Sequence, residues 1–148
     1  MINLSTILKA LQAQLSSNVD VTEIFKKDKI TRGQYINNDP SRCPWLGIYR
    51  GTTDFEPRTL GSVNNWEAFP KAKIIVQAIS YKSGEQAEEL LEGYVEAVMD
   101  AVLTDTSIGN TVDMVTGMQV EYGYNEEVRE TVYFQSAIIT FNLEVATQ

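Results

Sequence analysis

Residues 71–105 read KAKIIVQAISYKSGEQAEELLEGYVEAVMDAVLTD. The apolar spacing changes once within this stretch, and the change decides the fold. From Lys71 to Tyr81 the side chains alternate. Ala72, Ile74, Val76, Ala78 and Ser80 share one face, and Ile75, Ile79 and Tyr81 share the other. A period of two with apolar residues on both sides predicts a strand partly covered on both faces. From Ser83 onward the period becomes helical. Ser83 and Gln86 have capping-box spacing, and Leu90, Leu91, Tyr94, Val95, Val98 and Val102 gather on one side. A strand that runs into an amphipathic helix calls for a sheet on which that helix can lie.

The other side of the helix is acidic. Ser83 to Asp105 holds seven acids and no base. Glu85, Glu88, Glu89, Glu92, Glu96 and Asp100 fall within an arc of about 120° at helical spacing. The early acids favour the helix N-terminus through its dipole. The later ones do not, because Glu92–Glu96 and Glu96–Asp100 are like-charged i,i+4 pairs, each costing about 0.2–0.5 kcal/mol. Packing of the apolar side must therefore hold the helix. The acidic side reads either as a plain solvated face or as a surface turned towards a partner.

Working outward, Ile2 to Leu15 is an amphipathic helix with Leu4, Ile7, Leu8, Leu11 and Leu15 in one stripe, capped by Asn3 or Ser5. Val19 to Ile30 is ambiguous and is compatible with a strand leading into the basic KKDK run. Residues 34–44 read as loop, and Trp45 to Tyr49 as a buried strand. Residues 50–70 read as an irregular arm, punctuated by Gly51, Pro57, Gly61 and Pro70 and carrying Phe55, Trp66 and Phe69. A stretch this long without regular pattern is either a protruding hairpin or a functional arm. After a turn at TSIGN, residues 111–122 and 130–145 read as two strands joined by an acidic hairpin tip at 123–127. The expected fold class is α+β, with a mainly antiparallel four- to five-stranded sheet and two helices packed on one face. The whole of 1–148 fits one domain.

Charge is divided along the chain. Residues 1–82 hold 11 bases and 7 acids, a balance of +4, whereas residues 83–148 hold 1 base and 13 acids, a balance of −12. A net charge of −8 argues against nonspecific nucleic-acid binding by the whole surface. Two electrically unlike faces suit head-to-tail association. The plain alternative is that acid keeps the surface soluble.

The absences are informative too. There is no histidine, which removes the commonest general base and the usual Ser-His and Cys-His nucleophile pairs. Neither phosphate-cradling glycine motif is present. The one cysteine, Cys43, has no intramolecular partner, which suits a reducing compartment. Arg42 beside it would lower its pKa, but without histidine it reads as a plain free thiol. No apolar run approaches a membrane span, and the N-terminus lacks a secretory pattern.

The order of parts resembles a known family. An N-terminal amphipathic helix is followed by WLGIY (45–49), the arm, and KIIVQAISY (73–81). The acidic helix then ends in AVLTDTSIGNTV (101–112), and the chain closes on FQSAIITFNLEV (134–145). This layout resembles the tail terminator (tail completion) proteins of long-tailed bacteriophages. The resemblance implies a non-enzymatic virion protein, assembled in the host cytoplasm and located at the head-proximal end of the tail. It would form a homo-oligomeric ring, usually hexameric, that caps the tail tube protein, stops polymerisation and docks the head–tail connector. Genomic DNA would pass through without specific binding, and neither cofactor nor membrane is implied.

On that reading the contact residues are Phe55, Arg58, Trp66 and Phe69 on the arm, with Glu88, Glu92 and Glu96 opposite. Arg32, Arg42 and Arg50 are further candidates to meet an acidic neighbour. An alternative is another neck or head-closure ring protein. A third reading, of a different class, is a small metal-dependent enzyme in which Glu88, Glu92 and Glu96 bind Mg²⁺ or Ca²⁺. One helix face alone does not enclose a cation.

Overall fold

The structure, a computed structural model, describes residues 3–33, 39–57, 66–123, 126–129 and 132–145. In chain order its elements are α1 (Leu4–Ser16), α2 (Val19–Ile24), β1 (Ile30–Arg32), β2 (Trp45–Pro57), β3 (Trp66–Ser80), α3 (Gly84–Leu103), β4 (Met114–Tyr122), β5 (Glu126–Arg129) and β6 (Val132–Glu144). Single 3₁₀ turns at Lys27–Lys29 and Pro40–Arg42 lead into β1 and β2. The sheet order is β1-β2-β3-β6-β4, and β5 continues the β4 side along β6. Among the described residues only the β1–β2 pair is parallel. The α+β class is as the spacing predicts, with the two long helices packed on the sheet.

The strand at 71–81 becomes the centre of the sheet. One face of β3 presents Ala72, Ile74, Val76 and Ala78, all fully buried. In register beside them lie Phe141, Ile139, Ala137 and Gln135 of β6. Leu46 and Ile48 of β2 extend the same surface. On it α1 packs Ile7, Leu8, Leu11 and Leu15, and α3 packs Ala87, Leu91, Val95, Val98 and Val102. Burial of that stripe turns the acidic side of α3 to solvent: Glu85, Glu88, Glu89, Glu92, Glu96 and Asp100 are all exposed.

Polar contacts fix both ends of α3. At its start Gln86 N–H donates to the Ser83 hydroxyl at 3.0 Å. The expected reciprocal half of the capping box is absent, because the side-chain Oε1 of Gln86 instead accepts from Ser80 Oγ at 2.6 Å. Gln135 Nε2 of β6 donates to Gly84 C=O at 3.0 Å. At the far end Gln14 Nε2, on α1, donates to the carbonyls of Ala101 (3.0 Å), Val102 (3.0 Å) and Asp105 (3.2 Å). Helix C-termini leave carbonyls without intrahelical donors, and here another helix supplies one.

The turn after α3 seats Ile108. The Asp105 carboxylate accepts from Ser107 N–H (3.0 Å), Ser107 Oγ (2.5 Å) and Gly109 N–H (3.0 Å). These bonds hold Ile108 at φ +47, a conformation that opposes a β-branched residue. Its side chain is fully buried in the core, which offsets the strain.

Three stretches differ from the sequence reading. Val19–Ile24 is a short helix capped by the Asn18 side chain on Val21 N–H (3.1 Å), and the strand β1 begins only at the last residue of that ambiguous segment, Ile30. The arm is regular where it is described: β2 and β3 pair from Thr53↔Pro70 to Pro57↔Trp66, beyond a bulge between Arg50 and Thr53. Pro70 cannot donate to a ladder, and the β3–β6 pairing stops beside it at Lys71. The two strands therefore leave the sheet as a ribbon. Lastly, of the expected hairpin tip at 123–127, Gly123, Glu126 and Glu127 belong to the ladder, and 124–125 lie outside the described residues. The pairing of β5 with β6 runs from Glu126↔Phe134 to Arg129↔Val132. Gly123 N–H stays in the ladder, donating to Ser136 C=O at 2.9 Å.

Two substitutions separate the sides of these helices. Leu11→Ala should lower unfolding free energy by about 2–5 kcal/mol, whereas Glu92→Gln should stay within about 0.5 kcal/mol of the parent. Urea unfolding followed by circular dichroism measures both.

Candidate functional site

The ribbon carries the exposed aromatics. Phe55 pairs with Ala68 and Pro57 with Trp66. By strand alternation Phe55 and Trp66 share one ribbon face as diagonal neighbours. They are 62% and 55% exposed, among the most exposed large apolar side chains described. Phe69 pairs with Asp54 and lies on the opposite face, half-buried. The Lys71–Asp54 ion pair at 3.9 Å is solvated and contributes little. The β3–β6 ladder covers Lys71–Ser80, roughly 30 Å of strand, close to the roughly 30 Å length of α3. The β3 residues before Lys71 therefore carry the ribbon roughly 15 Å beyond the helix-covered sheet.

The acidic side of α3 is a second surface. Glu88, Glu92 and Glu96 run along it, all exposed. Among the described residues no ion pair involves α3. Beside it Glu96 and Asp100 face Asn18 and Asp20 across a shallow groove of about 250 Å³. Among the described residues no three acidic or thiol side chains are arranged to hold a metal ion.

The sequence candidates thus separate into distinct regions. Phe55 and Trp66 come together, and Phe69 turns away from them. Glu88, Glu92 and Glu96 form a continuous row on another element. Arg58 lies outside the described residues. Arg32 is engaged within the chain, its Nη1 donating to Ser5 Oγ at 3.1 Å, which ties β1 to the start of α1. Arg42 and Arg50 are exposed, Arg42 in the 3₁₀ turn before β2 and Arg50 at the β2 bulge.

Sequence reasoning missed a cluster on the sheet face away from the helices. The rings of Trp45 and Tyr49 fold over Gly47, with centroids 6.5 Å apart. A Cβ on Gly47 would meet the Trp45 ring at 2.5 Å and the Tyr49 ring at 2.7 Å. The Tyr49 hydroxyl is buried and lacks a hydrogen-bond partner, and burial raises its pKa. The W-x-G-x-Y spacing was legible, but which sheet face the helices cover was not.

Cys43 has the opposite character from the one Arg42 would confer. Burial, followed by the nearby Asp39 carboxylate, pushes its thiol up to about 12, against a smaller lowering by Lys29. A protonated thiol is a poor nucleophile. The Asp105 carboxyl is held below its ordinary value of 3.8 by the Ser107 hydroxyl, then by the backbone N–H groups of Gly109 and Ser107.

No protein-family model matches this chain, and no curated protein matches it. Among solved structures it is similar to a chain of the virion of a native gene transfer agent (GTA) particle, with a TM-score of 0.46 and 11% sequence identity over 93% of each chain.

Two measurements check this chemistry. Alkylation of Cys43 at pH 8 should be at least about tenfold slower in the native protein than in urea. Asp105→Asn should lower the melting temperature at pH 7. A depressed folded pKa contributes stability above the ordinary carboxyl range and loses it as pH falls through the folded value. The difference between parent and variant should therefore shrink as pH is brought below 3.8.

Proposed function

We propose that this chain is a non-enzymatic structural subunit of a phage-like virion, acting as a tail terminator. In this role copies form a ring, usually hexameric in proteins of this layout, on the end of the tail tube. The ring stops tube growth and offers its outer surface to the head–tail connector. The layout resemblance supplies the family, and one observation carries the assembly.

That observation is the segregation of charge to two sides of one sheet. Residues 26–57, which build the β1–β2 side, hold six bases (Lys26, Lys27, Lys29, Arg32, Arg42 and Arg50) against four acids. Residues 83–128, which build α3 and the β4–β5 side, hold 11 acids and no base. Identical copies with such a distribution repel when like sides meet and attract when unlike sides meet. Unlike sides meeting is a heterologous contact, which closes into a ring when the rotation allows. The exposed Phe55–Trp66 pair on the ribbon offers apolar area for the tube or a neighbour. Where α3 lines the passage, its acids repel the phosphate backbone and keep DNA from sticking.

The test is negative-stain microscopy of the protein mixed with tail tubes, and separately with filled heads, of the particle it derives from. Rings on one end of tubes of fixed length are expected. Binding to filled heads alone would move the protein to the connector side of the neck, and binding to neither would refute the reading. Glu92→Lys combined with Glu96→Lys should weaken ring occupancy, and raising salt from about 0.05 to about 0.5 M should weaken the parent too, because exposed charge pairs are screened. Unchanged occupancy in the double variant would remove the acidic row from the interface.

A further inference from the structure

One edge of the sheet stands open beside a charged wall. β4 is bound to β6 on one side, and among the described residues no strand lies on its other side. Gly123 N–H donates into the β4–β6 ladder, to Ser136 C=O. The alternation of an antiparallel ladder then turns the N–H and C=O groups of Tyr122, Val120 and Met118 away from β6. Further back, Val115 N–H donates to Thr106 C=O at 3.1 Å, which closes the edge there. The open part, Met118–Tyr122, holds no proline or lysine, and the β4 bulge lies before it, between Val115 and Gly117. The devices that ordinarily blunt an edge are therefore not used. Residues 34–38 hang from Gly33, at the end of β1, four strand spacings or roughly 19 Å from β4. That is too far for five residues that must also return to β2. Residues 58–65 hang from Trp66, roughly 20 Å along β3 from the level of Met118, again beyond their reach. Residues 146–148 follow Val145, roughly 13 Å from that level, more than three residues span.

The acidic row of α3 overlooks this edge. α3 lies over β3 and β6, with α1 over β1 and β2, and α2 packed against both helices. Measured around α3 from its buried stripe, Tyr94 lies roughly 60° to one side, and Glu88, Glu92 and Glu96 lie roughly 60°, 100° and 140° to the other. Tyr94 meets the Phe25 ring at 5.5 Å, which identifies its side as the one facing α2. The glutamates are therefore on the β4 side. They also keep step with the strand. The bond from Gln135 Nε2 to Gly84 C=O fixes a common level, and from there β6 and α3 both run towards the Thr106–Val115 contact. Tyr122 pairs with Ala137, two residues or roughly 7 Å along β6. Glu88 is four residues or roughly 6 Å along α3. Each further two residues of strand, to Val120 and then Met118, are matched by four more of helix, to Glu92 and then Glu96.

The geometry points to an extended, basic segment of another protein as the occupant of this edge. It adds to β4 as a strand along Met118–Tyr122, with lysine or arginine at every second position, on the side facing α3. Same-face side chains of a strand repeat about every 6.7 Å, close to the roughly 6 Å repeat of the glutamate row. The aliphatic stems of the bases lie against half-buried Val120 and exposed Tyr122. Their cationic heads reach glutamates that, among the described residues, form no ion pair. A basic strand there offsets the like-charge repulsion along the row. A second copy pairing β4 with β4 would instead bring two glutamate rows and two Glu121 side chains together. The assignment goes beyond the ring reading and does not rest on it.

Titration with a capped peptide of about eight residues, alternating lysine and threonine, tests it. The control is a peptide of the same composition with its lysines consecutive. At about 0.15 M salt the alternating peptide should bind at least about tenfold more tightly than the block peptide. It should also slow hydrogen exchange at the Val120 and Tyr122 amides at least about tenfold. Val120→Pro removes an outward N–H and no β4–β6 hydrogen bond. That variant, and separately Glu88→Lys combined with Glu92→Lys, should keep the parent's circular dichroism and bind the peptide at least about tenfold more weakly. No binding at about 1 mM peptide, equal binding of the block peptide, unchanged exchange at both amides, or undiminished affinity in the glutamate variant would overturn the assignment. So would a dimer of the peptide-free protein with the same amides protected, which would give the edge to a second copy. Should Val120→Pro fail to fold, exchange at the parent's amides decides in its place.

Discussion

The packing of α3 on the β3–β6 pair is the constraint from which the rest of the molecule follows. Ala72, Ile74, Val76 and Ala78 on β3, with Ala137, Ile139 and Phe141 on β6, present an apolar surface with small residues in several places. Leu91, Val95, Val98 and Val102 close over it. Once that stripe is buried, the row of acids has one place to go, and the like-charge cost along it is carried by the burial beneath. The ends of the helix are held by groups from other elements, Gln135 at the start and Gln14 at the finish. α1 is thereby locked to α3, and Ile108 is seated where the chain turns back into β4.

The same arrangement divides the surface electrically. The chain first builds the β1–β2 side, where the bases lie, and then the α3, β4 and β5 elements, which come from a segment without a base between 83 and 128. A mainly antiparallel sheet with β3 and β6 at its centre sends β1–β2 and β4–β5 to opposite edges, while α3 lies over β3 and β6. A linear bias in sequence thus becomes a polarity across the molecule. That polarity, with exposed aromatics on a ribbon that overshoots the sheet, is the physical basis for the proposed ring.

Much of the fold was legible because it depends on periodicity. The alternation in 71–81 and the helical stripes of α1 and α3 reflect burial on one side of a regular element, which spacing records directly. The strand character of 53–57 and 66–70 was not legible. Those residues pair only with each other, outside the sheet, so little burial imprints a pattern on them. The acidic hairpin tip at 123–127 differs for a related reason: the stretch has the composition of a turn, yet Gly123 keeps its ladder hydrogen bond and Glu126 and Glu127 pair with β6. Of the candidate site, the exposure of the glutamates followed from their spacing, whereas that of Phe55 and Trp66 did not, since aromatic rings on an arm ordinarily fold back onto their own core; Arg32, still exposed, is engaged by Ser5, a contact that joins residues far apart in sequence.

By itself, then, the sequence determined where the long periodic elements form, which stripe of each is buried and how charge is apportioned along the chain, because those properties are local and periodic. It also determined that Cys43 lacks a histidine to activate it. Only the tertiary structure decided that β6 lies between β3 and β4, that Phe55 and Trp66 come together on a ribbon, and that the Cys43 thiol is raised rather than lowered. Strand order and a group's surroundings depend on contacts between residues distant in sequence, and no local spacing records which distant segment will arrive.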